Sequence, residues 1–87
     1  MSEENQDQAV ASVSTQTFST EQFLKQLEER VSGYNAKLLL NAALVESGIN
    51  PAEAEINGEE AKTLCISLIN KGGPAFQVGQ NIYRQIQ

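Results

Sequence analysis

One stretch of this sequence carries oxygen ligands at the spacing of a calcium-binding loop. Acidic and amide side chains take the first, third and fifth positions of an EF-hand loop, and glycine takes the sixth, in Glu53-Ala54-Glu55-Ile56-Asn57-Gly58. The twelfth position, where the loop requires a bidentate Glu, is Leu64. We therefore interpret the stretch as a capped connection between helices and predict that it holds no metal.

The side chains that support most enzyme chemistry are absent from the sequence. The chain has no His and no Trp, and its only Cys is Cys65. Without His it lacks Ser-His-Asp and Cys-His arrangements, and a single Cys cannot supply the ligands of an ordinary zinc site. Pairs of Glu remain as acid–base candidates, but most of them occupy positions typical of helix starts or exposed helix faces. We predict that the protein is not an enzyme and holds no cofactor.

Two other short features have structural explanations. Cys65 falls on an apolar stripe with Leu64 and Leu68, where a Cys acts as a small hydrophobe. Helix starts bind anions, but the start near Lys71-Gly72-Gly73 is followed by Pro74, which removes a needed N–H group, and no phosphate-binding motif is present. We interpret this segment as a tight turn between two helices.

A polar tail precedes the first predicted element. Residues 1–17 are rich in Ser, Thr, Gln and Glu and contain few apolar side chains. Such a composition cannot bury enough apolar area to offset the entropy of the chain. We predict that residues 1–17 form a disordered tail and that residues 18–87 form a single helical domain.

The first helix is predicted to begin just after Phe18. Ser19 and Gln22 have the spacing of a capping box, and Phe18 and Phe23 have the spacing of a hydrophobic staple. Apolar residues then recur at steps of three, four or seven, which predicts one helix face containing Phe23, Leu27, Val31, Tyr34, Leu38 and Val45.

Gly33 leaves two interpretations of this helical region open. A continuous or kinked helix over residues 20–47 keeps the apolar register and is preferred, although it would be about 42 Å long. A bend at Ser32-Gly33 would instead fold the two halves together, which suits the size of the domain.

The next boundaries are marked by glycine and asparagine. Gly48 is predicted at the left-handed C′ position of the helix, with Ile49 making the apolar contact that follows it. Asn50 is predicted to cap a short turn over residues 51–55. Asn57 is predicted to cap the following helix, whose first turn contains acidic residues that favour the helix dipole.

The C-terminal region predicts a helix, a glycine turn and a second helix. The turn is Gly72-Gly73-Pro74, so the last helix should begin at Pro74 or Ala75. Gly79 lies on its apolar face and would allow another helix to approach closely, within the domain or across a dimer interface. We find no strand pattern with hairpin turns. The predicted fold is all-α, a small bundle of three to four helices with a disordered polar N-terminal tail.

The outer face of the last helix carries the most functional information. We predict that Gln77, Gln80, Asn81 and Arg84 bind a partner. Amide side chains pair with adenine and Arg with guanine, and a helix after a Gly-containing turn has the outline of a helix-turn-helix. Nucleic-acid binding through this helix is therefore the alternative function. The net charge of −5 and the small number of basic residues argue against it.

The predicted function is protein–protein interaction by a small non-enzymatic module, as an adaptor, a regulator, a chaperone or an accessory subunit of a larger assembly. Residues 38–45 are apolar around most of the helix, which predicts burial on more than one side and is compatible with a homodimer. No signal peptide is visible, and the longest apolar run is too short to cross a membrane. We expect a cytoplasmic protein that does not bind membranes.

Overall fold

Four helices and a small two-stranded sheet lie within residues 17–86, which are the residues described by the structure, a computed structural model. The prediction of a small all-α bundle is confirmed, with four helices. The predicted disordered tail lies outside the described residues, apart from Thr17, which belongs to the first strand. In chain order the elements are β1 (Thr17–Ser19), α1 (Thr20–Glu28), α2 (Gly33–Glu46), β2 (Glu55–Asn57), α3 (Gly58–Lys71) and α4 (Gly73–Ile86).

The sheet is the one element type that the sequence did not indicate. β1 and β2 pair antiparallel, with Phe18 opposite Ile56 at the centre. Both central side chains are buried, whereas their neighbours along each strand are exposed. The N–H of Thr20 also donates to the carbonyl of Ala54 at 2.9 Å. The prediction of no strand is wrong because three residues per strand are too few to show an alternating pattern.

Ser19 caps α1, but not through the predicted capping box. Its hydroxyl oxygen accepts a hydrogen bond from the N–H of Glu21 at 3.1 Å. The amide of Gln22 instead donates to the side-chain oxygen of Gln85 at 3.3 Å, which connects α1 to α4. Gln22 therefore bonds to Gln85 on another helix instead of to the backbone of Ser19. Phe23, at the predicted staple position, is fully buried.

α1 and α2 are separate helices, so the preferred continuous helix is wrong and the bend is correct. The N–H groups of Arg30 and Val31 both donate to the carbonyl of Leu27, at 2.9 and 3.0 Å, and close the last turn of α1. Ser32 then caps α2 by accepting from the N–H of Asn35 at 3.3 Å. Two short helices can pack on each other, which one long helix cannot do.

α2 ends in the predicted glycine cap. Gly48 has a φ of +76°, in the left-handed region that glycine adopts readily. The N–H of Ile49 donates to the carbonyl of Leu44 at 2.9 Å. This is the hydrogen bond of a Schellman motif that spans more residues along the chain. Ile49 is buried, and an apolar contact at this position often accompanies the motif.

Two asparagines act as the predicted caps. The side-chain oxygen of Asn50 accepts from the N–H of Ala52 at 2.9 Å, although this turn is shorter than predicted because the chain is extended from Glu55. The side-chain oxygen of Asn57 accepts from the N–H of Glu60 at 2.8 Å. The Glu60 carboxylate accepts from the N–H of Asn57 at 3.0 Å, which completes a capping box.

α3 and α4 form a tight helical hairpin around Gly72, the single residue between them. Gly72 and Gly73 have φ values of +77° and +57°, so both use the conformational freedom of glycine. A Cβ atom at Gly79 would lie 2.6 Å from the carbonyl oxygen of Cys65. The helix that approaches Gly79 is therefore α3 of the same chain.

The core lies where the helices meet the sheet, and it is entirely apolar. No polar or charged residue is buried within residues 17–86. The largest fully buried side chains are Phe23, Leu27, Leu44, Leu64, Leu68 and Ile82.

Candidate functional site

The four predicted partner-binding residues lie together on one face of α4. Gln77, Gln80, Asn81 and Arg84 are separated by three, one and three positions, which is the spacing of a helix face. Gln77 and Arg84 are exposed, and the other two are half-buried. The face can donate and accept hydrogen bonds, but its one charge gives little attraction to a polyanion.

The α3–α4 hairpin differs from a helix-turn-helix in its connection. That motif joins its helices through three or four residues at about 90–120°. Here one glycine connects the helices, and their backbones touch where Gly79 meets Cys65. One of the few basic residues of this region, Lys71, is already paired with Glu46 at 3.0 Å. The hairpin therefore departs from the helix-turn-helix motif in the length of its connection.

The stretch that resembles half of a calcium loop forms β2 and the cap of α3. Glu55 and Asn57 flank the buried Ile56 in the strand. The side-chain oxygen of Asn57 is used by the N–H of Glu60. Within residues 17–86, no three acidic or Cys side chains are grouped so that they could hold a metal ion.

The only cysteine is enclosed in the contact between α3 and α4. Cys65 is fully buried, and its carbonyl oxygen faces Gly79. Burial raises the pKa of the Cys65 thiol to about 12, because the thiolate would lose its hydration. A nucleophilic Cys must be accessible and readily ionised. Cys65 therefore has a packing role.

An apolar strip on the outer side of α2 is not covered by the rest of the described chain. Tyr34 is 74% exposed, Leu38 50% and Val45 63%. Asn41, which is also exposed, lies between them. The four residues recur at steps of four, three and four, so they line one narrow strip along the helix. We call Tyr34, Leu38, Asn41 and Val45 the α2 ridge.

Leu38 and Val45 of the ridge belong to the segment 38–45 that was predicted to be buried on more than one side, and within residues 17–86 both are exposed. The predicted helix face that included Phe23 and Tyr34 is divided by the break between α1 and α2. Phe23 is buried and Tyr34 is exposed, because the two helices are rotated independently. The other side of α2 faces the core through Ala36, Leu40, Ala43 and Leu44.

A groove of about 490 Å³ lies beside the ridge, between α2 and the α3–α4 connection. Leu38 belongs to both the ridge and the groove, so the two form one continuous surface. Phe76, just beyond the groove on α4, is 38% exposed. The groove is lined by Val31, Asn35, Leu38, Leu39 and residues 71–75.

Hydrogen bonds from α3 hold the C-terminal end of α2. The Lys71 ammonium lies 3.0 Å from one carboxylate oxygen of Glu46, and the Ser67 hydroxyl donates to the other at 2.9 Å. These bonds, that from Lys71 first, lower the pKa of Glu46 below its usual range. They help to fix the orientation of α2, in which the ridge faces solvent.

The comparisons with known proteins add no family. No protein-family model matches the chain, and comparisons with curated proteins and with solved structures gave no significant match. None of the helices within residues 17–86 combines the length and apolar character needed to cross a bilayer.

Proposed function

We propose that this chain is a small non-enzymatic module for protein–protein interaction, with the α2 ridge as its main contact surface. Such a module acts as an adaptor, a regulator, a chaperone or an accessory subunit of a larger assembly. The exposure of Tyr34, Leu38 and Val45 along one strip of α2 carries this proposal. Contiguous apolar surface of this kind is typical of protein-interaction sites.

The energy of covering the ridge suits a modest interface. Complete burial of a Leu or Val side chain contributes about 1.5–3 kcal/mol, and the ridge side chains Leu38 and Val45 are half or more exposed. Tyr34 adds an aromatic ring with a hydroxyl, a combination typical of interface anchors. Association itself costs about 4–15 kcal/mol. Tight binding therefore requires further contacts beyond the ridge.

The polar face of α4 supplies such contacts in this proposal. Gln77, Gln80, Asn81 and Arg84 offer amide and guanidinium groups that suit hydrogen bonding at the rim of an interface. The partner is another protein, a second copy of this chain, or both. A lone cysteine without a disulfide partner fits the reducing cytoplasm, where we place the protein.

Affinity capture from a lysate of the source cells tests the proposal. The baits are the wild type, Val45→Glu on the ridge, and a double variant Gln77→Ala and Arg84→Ala on α4, each shown to be folded by circular dichroism. We expect the wild type to retain proteins that the Val45→Glu variant does not retain. The reason is that a charge on the ridge must be desolvated in the complex.

Two outcomes would contradict this expectation. If Val45→Glu and the wild type retain the same proteins, the ridge is not the contact surface. If the wild type retains nuclease-sensitive material absorbing at 260 nm, and only the α4 variant loses it, nucleic-acid binding replaces protein binding as the proposed function.

A further inference from the structure

We propose that the α2 ridge packs against the α2 ridge of a second copy of this chain, with the two helices antiparallel about a twofold axis. This inference rests on the proposed function, since it names the partner of the same surface. The dimer is expected to be weak and reversible.

The charges around the ridge favour a second copy over a charged partner. The ridge has no charged residue, although the chain has a net charge of −5. On α2, Lys37 borders the ridge, and Glu46 is already paired with Lys71 at 3.0 Å. A partner selected by charge complementarity would need a surface with several charges, and Lys37 is a single charge beside an uncharged strip. A second copy instead supplies an identical uncharged strip.

The spacing of the ridge residues reads the same in both directions along α2. An antiparallel pair centred between Leu39 and Leu40 places Tyr34 opposite the partner's Val45, and Leu38 opposite the partner's Asn41. Each large aromatic side chain then meets a small branched one. A surface that meets its own copy in this way forms a closed twofold dimer, the commonest oligomer of soluble proteins.

Asn41 gives the proposed dimer a defined register. In this arrangement Asn41 and the partner's Asn41 are offset by three residues along the axis, or about 4.5 Å. A side-chain amide contains two donor hydrogens and an acceptor oxygen, so the two amides can hydrogen-bond to each other. A polar residue at such a position specifies register and lowers affinity.

The size of the contact sets the expected affinity. α2 has 14 residues, which gives a helix about 21 Å long and about 10 Å wide. Contact along this length covers roughly 200 Å² of each copy in projection, well below the ~800 Å² per partner of a standard interface. We therefore expect a dissociation constant of about 10 μM to 1 mM.

The net charge predicts how salt changes the association. Two copies, each with a charge of −5, repel each other at long range. Added salt screens that repulsion, while the uncharged ridge contact is not weakened. Dimerisation should therefore strengthen with ionic strength. Binding to a basic protein or to nucleic acid should weaken instead.

Sedimentation velocity of the purified full chain over a series of concentrations, at low and high salt, tests the dimer. We expect Val45→Glu to weaken association at least tenfold and Asn41→Leu to strengthen it at least threefold. Thr63→Glu makes the same charge change at an exposed position of α3 that has no role in the proposed contact, and it should leave association unchanged. Because Asn41→Leu acts in the opposite direction, the result does not depend on a loss of function alone.

Oxidative cross-linking tests the orientation. In an antiparallel pair, an equal mixture of Tyr34→Cys and Val45→Cys chains forms a disulfide-linked dimer, whereas Val45→Cys alone does not. A parallel pair would instead link Val45→Cys to itself and overturn the proposed arrangement. The native Cys65 is fully buried and should not compete.

A chain that stays monomeric at all concentrations overturns this inference, as does a dimer that Val45→Glu leaves unchanged. If the chain is monomeric but the lysate experiment shows ridge-dependent capture, the proposed function stands and that protein replaces the second copy. If the chain is monomeric and the lysate experiment shows no ridge-dependent capture, the ridge is not a contact surface.

Discussion

At the scale of single residues, Gly79 sets the distance between α3 and α4. A Cβ atom there would lie 2.6 Å from the Cys65 carbonyl oxygen and 3.0 Å from the Leu68 Cβ atom. Alanine favours helix by about 1 kcal/mol over glycine, but overpacking costs about 1–3 kcal/mol. We expect Gly79→Ala to lower the free energy of unfolding by up to about 2 kcal/mol, measured by urea denaturation.

Gly58→Ala is the matched control for this prediction. Gly58 is also in a helix, but nothing lies within 4 Å of a Cβ atom placed there. The substitution should be neutral or should stabilise by up to about 1 kcal/mol. Equal effects of the two variants would show that α3 and α4 are not in backbone contact at Gly79.

Asn57 illustrates how one side chain starts a helix. It accepts from the N–H of Glu60 at 2.8 Å, and its own N–H donates to the Glu60 carboxylate at 3.0 Å. We expect Asn57→Ala to destabilise the protein by about 0.5–2 kcal/mol. Asn57→Asp keeps an acceptor at the N-terminus and should retain stability. Thermal unfolding of the three proteins decides, and a stable Asn57→Ala would contradict the capping role.

Cys65 reports on the opening of the hairpin. It is fully buried, and burial raises its pKa to about 12. Because thiol reagents need an exposed thiolate, labelling of the native protein should be slow and should accelerate with denaturant as unfolding becomes more frequent. Rapid labelling without denaturant would show that the contact between α3 and α4 opens readily.

At the scale of elements, sequence patterns predicted boundaries wherever the cap is local. Gly48 and Asn57 were predicted from their immediate neighbours, and both act as expected. Prediction failed where a distant partner decides. Gln22 bonds to Gln85 instead of closing a capping box, and Phe18 pairs with Ile56 in a sheet. Neither partner is visible within a short window of sequence.

The Glu46 contact predicts a pH dependence for the junction between α2 and α3. Hydrogen bonds from Lys71 and Ser67 lower the pKa of Glu46 in the folded state. A lowered folded pKa stabilises the protein above the pKa of the unfolded chain. That stabilisation is lost as the pH falls through the folded pKa.

Carboxylate NMR titration measures this directly. We expect Lys71→Met to raise the pKa of Glu46 and to reduce the loss of stability on acidification. Lys62→Met removes a charge from the same helix but no hydrogen bond to Glu46, so it should leave that pKa nearly unchanged. An equal response to both substitutions would assign the effect to overall charge instead.

At the scale of the whole molecule, the sequence predicted that residues 38–45 are buried on more than one side, but it did not show which side of α2 faces the core of this chain. The rotation of α2 is fixed by Ala36 and Leu40 in the core and by the Glu46 contact with α3. These are tertiary contacts. The polar residues of α4 could be predicted as one face, because helical spacing alone groups Gln77, Gln80, Asn81 and Arg84.

The pairing of β1 with β2 should open more often than the hairpin of α3 and α4. Phe18 and Ile56 are 38 positions apart, whereas a single residue joins α3 to α4. Closing a long loop costs more entropy than a short one, and distant contacts form later in folding. Amide hydrogens of β1 should therefore exchange with deuterium faster than those of α3 and α4, through openings that leave the hairpin folded. Equal exchange rates would mean that the chain opens only as a whole.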